Sequence, residues 1–336
     1  MKIAIDADGG EYAPHEIVKG AIKAAREYEV EIALVGRKEI LYVLAGRHVG
    51  KLGMSIIDAG QVIGPHESPV EAVRGKPESS IVLGTNLVKD GLASAFVSAG
   101  NTGAVLYSAL VNLGKIEGIE RPAIASIINV NTTAPVLLID SGANADCRPS
   151  YLVQFAQLGT TYVREIFGLS SPRVGLLSNG EEGTKGNRLA KESYNLLKKT
   201  SLNFIGNIEG QDISRGTTDI IVTDGFTGNI VLKTIEGLAD TFLKLRHVGQ
   251  ILSNAYHLQG RDLLLDAGLG SLAKRMDYRE YGGACLLGVN GNIIIAHGRS
   301  QAKTIKNAIG LAKHTVERGI CQKIKEEEYE QAGLNR

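Results

Sequence analysis

Short apolar runs recur along the chain, at 3–6, 32–35, 55–58, 95–98, 123–128, 136–140, 174–178, 204–208, 220–223 and 293–296, with longer stretches of helical periodicity between them. Runs this short, with little polar alternation, predict strands buried on both faces. Their alternation with helices predicts an α/β fold, a mostly parallel sheet layered between helices. Polar and glycine residues gather just after the runs, as Asp8-Gly9-Gly10, Gly100-Asn101-Thr102, Gly142-Ala143-Asn144, Asn179-Gly180-Glu181-Glu182 and Asp224-Gly225. Ligands of open α/β sheets bind beyond the carboxyl ends of strands, so several loops should assemble the site.

Two of these junctions run parallel position by position: Ser98-Ala99-Gly100-Asn101-Thr102-Gly103 and Thr223-Asp224-Gly225-Phe226-Thr227-Gly228. A strand, a Gly-Thr-Gly turn and a helix start together aim backbone N–H groups, a hydroxyl and a positive dipole end at one point, which suits a phosphate. The simpler alternative is two ordinary turns, with Gly supplying positive φ and Thr capping the helix. Two copies favour a duplicated architecture whose halves face one cleft. With no Pro- or Ser-rich linker, the expectation is a single unit over 1–336 made of two intertwined halves.

One segment breaks the rhythm. From 241 to 278 the pattern is helical without a strand, with Leu245, Val248, Leu252 and Tyr256 on one face and then Leu265, Leu269, Leu272 and Met276. Lys244, Arg246, His247, Arg261, Lys274 and Arg275 flank these faces. Such an excursion fits a contact between two copies or an amphipathic hairpin at a membrane surface.

Composition narrows the function classes. A net charge of +1 with no Trp leaves little for a nucleic-acid binder to use. Cys147, Cys285 and Cys321 are odd in number and far apart, which argues against a disulfide framework and for a reducing compartment. The seven histidines never pair at metal-ligand spacing, so no metal is expected. There is no Gly-x-Ser-x-Gly elbow, no phosphate-binding loop ending in Gly-Lys-Ser/Thr and no Gly-x-Gly-x-x-Gly turn. No apolar run approaches the ~18 residues of a membrane span, and the opening Met-Lys-Ile-Ala-Ile-Asp does not read as a signal peptide. A cytoplasmic protein is expected, at most held peripherally at a membrane.

Other candidates are polar residues at strand ends. The loop Ser178-Asn179-Gly180-Glu181-Glu182-Gly183-Thr184-Lys185-Gly186 offers Lys185 to a phosphate, and Arg188 and Lys191 follow at helical spacing on what is otherwise a solvated basic face. Tyr281-Gly282-Gly283 suits backbone packed against a ligand or another strand, and Asn290-Gly291 reads as a hairpin turn. His297 either orients a substrate or satisfies a buried carbonyl. Arg299, Lys303, Lys306 and Lys313 form a stripe that is solvated or docks an acidic protein.

Taken in order, Ile5-Asp6-Ala7-Asp8-Gly9-Gly10, Arg74 with Lys76 and Ser79-Ser80, Ser98 to Ala104, Arg121-Pro122-Ala123, Gly142-Ala143-Asn144, Gly180-Glu181-Glu182 with Lys185-Gly186, Asn203 to Asn207, Asp224 to Asn229 with Lys233-Thr234, Tyr281-Gly282-Gly283-Ala284 and Ala296-His297-Gly298 span nearly the whole chain. This set resembles the PlsX-type phosphate acyltransferases of bacterial phospholipid synthesis. The chain departs from that family's pattern at Asp8, Glu11-Tyr12, Cys285 and Arg299.

The resemblance implies a homodimer with a three-layer α/β/α sandwich of the isocitrate/isopropylmalate dehydrogenase kind, with no cofactor. It implies an enzyme that makes acyl phosphate from fatty acyl-[acyl carrier protein] and inorganic phosphate. A membrane glycerol-3-phosphate acyltransferase would consume the product, and a membrane-surface contact through 245–276 is expected. On this reading Ser98, Gly100, Asn101, Thr102, Gly103, Asn144, Gly225, Thr227, Gly228, Gly282 and Gly283 bind phosphate and substrate. Lys185 supplies charge, Asp224 orients Lys185 or a phosphate proton, Asn229 or His297 donates to the thioester oxygen, and Arg188, Lys191, Lys303 and Lys306 dock the carrier. The alternatives are a phosphate acetyltransferase using acetyl-coenzyme A, a decarboxylating NAD dehydrogenase and a non-catalytic scaffold for membrane lipid enzymes.

Overall fold

Apolar runs that are buried on both faces need neighbours on both edges as well as helices above and below, and the chain supplies them. The computed structural model describes residues 1–129, 135–256 and 280–334, with the side chains of 242–256 and 329–334 outside the description. Among the described residues the strands are β1 (Lys2–Asp6), β2 (Glu31–Gly36), β3 (Met54–Asp58), β4 (Ala95–Ser98), β5 (Ala123–Ile128), β6 (Val136–Ile139), β7 (Val174–Leu177), β8 (Phe204–Ile208), β9 (Ile220–Val222), β10 (Ala284–Leu287) and β11 (Asn292–Ile295). They form one sheet in the order β3-β2-β1-β4-β11-β10-β5-β6-β9-β7-β8.

The sheet reverses at its centre. Strands β3, β2, β1, β4 and β11 run parallel to one another, as do β6, β9, β7 and β8, while β11–β10, β10–β5 and β5–β6 pair antiparallel. Three antiparallel steps set the two parallel halves running in opposite directions. Ten of the strands follow the predicted runs. The eleventh, β10, lies in the glycine-rich segment read only as backbone approaching a ligand or strand; it pairs with β11 across the predicted Asn290-Gly291 turn.

Successive side chains of each strand divide between two faces. On one face Ile3, Ile5, Leu137, Ile139 and Ile294 join a large core with α1 (His15–Tyr28), α6 (Pro149–Phe167), α7 (Arg188–Leu197), α9 (Ala302–Glu317) and α10 (Ile320–Leu334). On the other face there are two separate cores. One holds Ala4, Phe96, Ile124 and Ile293 with α3 (Pro69–Gly75), α4 (Ser80–Lys89) and α5 (Thr102–Asn112). The second holds Ile128, Leu138 and Ile221 against α8 (Gly225–Tyr256). The result is a three-layer α/β/α sandwich.

The break between those two cores positions the site. Crossover helices cover parallel strands, whereas antiparallel neighbours need only short connections. Around β10 and β5 this face of the sheet is therefore left without a covering helix among the described residues, between α5 and α8. The helical pattern from 241 continues α8 to Tyr256; the side chains expected on its faces, and the whole of 257–279, lie outside the described residues. No helix among the described residues is long and apolar enough to cross a membrane.

Candidate functional site

Helix α5 begins at Thr102 because Asn101 caps it: Asn101 Oδ1 accepts the Ala104 N–H at 3.1 Å, and its Nδ2 donates to the carbonyls of Gly64 and Glu67. Helix α8 begins at Gly225 because Asp224 caps it, Oδ1 accepting the Thr227 N–H at 2.8 Å and Oδ2 the Thr227 hydroxyl at 2.8 Å. The parallel segments thus start their helices two positions out of register, and the threonines expected to cap do not. Thr102 instead faces a cavity, while Thr227 turns to its own capping carboxylate.

That cavity, about 390 Å³, fills the bare strip of the sheet. Ile124, Ser126 and Ala284 form its floor, Thr102 stands at one side, and Gly225, Phe226, Asn229, Lys233 and Glu236 of α8 at the other. Both Gly-Thr-Gly segments therefore reach one hollow although they follow strands of opposite direction. The backbone N–H groups of Thr102 and Phe226 have no acceptor among the described residues, and both residues line the cavity, so the positive ends of two helices adjoin the same space.

Asp140 builds the wall below α8. Its buried carboxylate accepts the N–H groups of Ile124, Gly142, Ala143 and Asn144, at 2.7–3.1 Å, and the Asn144 amide at 2.8 Å. Burial raises the Asp140 pKa, against the pull of these donors. Asn144 is thereby tied to Asp140 and to Pro122 O, and its carbonyl takes the Gly225 N–H at 2.7 Å. It supports the site without lining it. A Cβ on Gly225 would stand 2.7 Å from Asn144 O, so this glycine answers to close packing of helix on loop.

At the far end His297 meets α8. Its Nδ1 accepts the Arg299 N–H at 3.1 Å, which leaves the proton of the neutral ring on Nε2, 3.5 Å from Glu236 Oε2. The same Oε2 lies 2.8 Å from Lys233 Nζ. Burial first, then the Lys233 charge, hold the His297 pKa below its usual 6.5.

Of the expected residues, Thr102, Gly225, Asn229, Gly282, Gly283 and His297 line the cavity. Ser98 does not: it is buried, donating to Asp6 at 2.6 Å and accepting the Gly100 N–H at 3.0 Å. Gly100 and Gly103 pack on Asp6 and Pro69, Gly228 packs on Asp140, and the main-chain approach of Gly282 is to α9 at Ala308. Asp224 and Thr227 line a neighbouring cavity of about 360 Å³ together with Ser178, Asn179 and Asn187. Lys185 is exposed on the loop beside that second cavity, its N–H bonded to Glu182 O. The docking candidates fall into two patches. Arg188 and Lys191 lie on α7 over β7 and β8, whereas Lys303 and Lys306 lie on α9 over β4 and β11 and pair with Glu280 and Glu27. All three cysteines lie outside the cavity, and burial pushes Cys147 up to about 12 and Cys285 to about 11.

Lys233, Glu236, Ser126 and Ser141 also line the cavity; Lys233 was noted above as part of the resemblance, but none of the four was expected at the site. The signal for the first two is their spacing from Asn229 on a helix, at i+4 and i+7, which turns them to one side.

The family described as "Fatty acid synthesis protein" matches residues 1–323. A phosphate acyltransferase of Dehalococcoides mccartyi is 58% identical over 327 residues, covering 97% of this chain and 94% of its own length. One from Dictyoglomus turgidum is 47% identical over 338 residues, covering 100% and 98%. Among solved structures, a phosphotransacetylase of Streptococcus pyogenes superposes with TM-score 0.61 at 19% identity, covering 94% of each chain. A branched-chain phosphotransacylase of Enterococcus faecalis superposes with TM-score 0.59 at 15% identity, covering 94% and 99%. These structural likenesses establish the fold.

Proposed function

This chain belongs to the fatty acid synthesis protein family of phosphate acyltransferases, and from that premise we propose that it joins a fatty acyl group, delivered as a thioester on an acyl carrier protein, to inorganic phosphate in the cavity between α5 and α8. It is an enzyme that transfers acyl groups to phosphate. The observation that supports this site is that the starts of two helices, from sheet halves of opposite direction, open on one hollow at Thr102 and Gly225.

Phosphate is a competent nucleophile near neutral pH and a thiolate is a good leaving group, so the protein has to align both and stabilise the tetrahedral oxyanion between them. A phosphate oxygen attacks the thioester carbon and forms the C–O bond. The carbonyl oxygen gathers charge and then reforms its double bond as the C–S bond breaks, and the thiolate leaves with the carrier and takes a proton from water. The N–H groups of Thr102 and Phe226 face the phosphate, and Lys233 balances its charge. The Asn229 amide and His297 Nε2–H serve the thioester oxygen. No covalent enzyme intermediate is needed, in keeping with cysteines that lie outside the cavity.

The pairing of two copies, the membrane contact through 245–276, a cytoplasmic location and consumption of the product by a membrane glycerol-3-phosphate acyltransferase belong to the same reading and rest on the resemblance. Lys185 keeps its proposed part as a source of charge from the neighbouring loop. The test is mass-spectrometric detection of acyl phosphate from the purified chain, offered phosphate with carrier-bound acyl groups of increasing length and with acetyl-coenzyme A. Acyl phosphate from the long carrier-bound chains is expected. Product from acetyl-coenzyme A alone, or none, overturns the reading.

A further inference from the structure

Lys233 is the one ammonium and Glu236 the one carboxylate among the described residues lining the cavity. They lie three residues apart on α8, and the contact between them reaches across to His297, beyond β11. A carboxylate in a pocket meant for phosphate is unfavourable for the ligand on charge alone. Its presence calls for a reason. The geometry gives one: a single oxygen, Glu236 Oε2, faces Lys233 Nζ at 2.8 Å and His297 Nε2 at 3.5 Å, and the Glu236 side chain is only 13% exposed.

We propose that Glu236 is a positioning residue for acyl transfer to phosphate: through Oε2 it holds the Lys233 ammonium and the His297 Nε2–H side by side, so that cation and donor address the reacting groups together. This rests on the function proposed above. Lys233 is a long, half-exposed side chain with many rotamers, and a fixed anion at its tip removes most of that freedom before substrate arrives. His297 needs its proton on Nε2. The Arg299 N–H held at Nδ1 selects that tautomer, and Glu236 on the other side aims it. Among the described residues, the charged groups that act on His297 include Lys233 and Glu236 from α8, Arg299 from its own loop and Glu11 from the loop after β1; Arg299 is itself paired with Asp240 at 3.7 Å.

The test is the pH dependence of kcat/KM for acyl phosphate formation by Glu236→Gln, Glu236→Asp and Lys233→Ala. The working ring is the neutral one, because a proton on Nδ1 breaks the Arg299 N–H contact that orients it; removing the Glu236 charge takes away an anion that favours protonated His297, so the acid limb of E236Q should move to lower pH. Removing Lys233 takes away a cation that disfavours it, so the limb of K233A should move to higher pH. E236Q should also lose roughly ten- to a hundredfold in kcat/KM near neutral pH, with E236D restoring part of it and keeping the wild-type limb. Unmoved limbs in both E236Q and K233A, whatever their activity, overturn the proposal, as does an E236Q enzyme with wild-type kcat/KM. A wild-type enzyme that makes no acyl phosphate instead overturns the underlying function, which keeps the two failures apart.

Discussion

Gly228 sits with its Cα against the carbonyl oxygen of Asp140, so close that a Cβ there would collide with it. This contact seats the first turn of α8 on the loop that follows β6, and with it Gly225, Phe226 and Asn229 at the cavity. Gly228→Ala should therefore cost about 2–3 kcal/mol of stability and lower kcat/KM by displacing the helix start. Gly237, on the same helix with nothing within 4 Å of its virtual Cβ, is the control: Gly237→Ala should raise stability by about 0.5–1 kcal/mol. Thermal and denaturant unfolding of the two variants decide the matter.

Asp140 itself should matter more than any residue that lines the cavity for stability alone. Asp140→Ala leaves the N–H groups of Ile124, Gly142, Ala143 and Asn144 without their acceptor in a buried site. A loss of at least about 3 kcal/mol is expected from urea unfolding. A change under 1 kcal/mol would mean that the loop finds other acceptors.

The His297 shift carries a sign for stability. Because burial holds its folded pKa below the unfolded 6.5, the ring contributes stability above pH 6.5 that is lost as pH falls through the lowered value. The melting temperature of the wild type should drop more steeply than that of His297→Gln as pH is lowered from 7. Equal slopes would show that another group dominates this range.

Lys233 lines the cavity and Lys185 is exposed on the loop beside the neighbouring one, so the phosphate dependence of their variants separates the two. Lys233→Ala is expected to raise the KM for phosphate severalfold while changing the KM for the thioester less. The same measurement on Lys185→Ala completes the comparison. A phosphate KM raised by loss of Lys185 and not of Lys233 would move the phosphate to the neighbouring cavity lined by Asp224 and Thr227.

The thiols should be inert. With Cys147 pushed up to about 12 and Cys285 to about 11 by burial, alkylation of these two in the native protein at pH 8 should run at least about a hundredfold slower than for a free cysteine. Mass spectrometry of iodoacetamide-treated protein, native against guanidinium-unfolded, reads this directly. Inactivation that tracks rapid native labelling of Cys147 or Cys285 would contradict it.

What could be read beforehand was local. Strand positions, the turn at Asn290-Gly291 and the glycine-rich helix starts all depend on residues close in sequence. Four of the residues expected to bind substrate have a further role that their position along the chain does not show. Ser98, Asn101, Asn144 and Asp224 are polar residues at strand ends, the usual place of ligand contacts, yet here each bonds to backbone or to a buried side chain. A polar side chain that serves the fold and one that serves a ligand look the same until their partners are known. Lys233 and Glu236 show the converse, since a helical face has no meaning until something is packed opposite it.

The amino-acid sequence alone determined the alternation of strand and helix, the family resemblance and the two helix starts that meet at the cavity, because each is written in short-range pattern. Only the tertiary structure decided that the sheet reverses direction at β10 and β5, leaving a strip of one face with no covering helix among the described residues, and that Lys233, Glu236 and His297 converge there. Those outcomes depend on which strands pair and in which direction, and strand order is set by packing among residues that lie far apart along the chain.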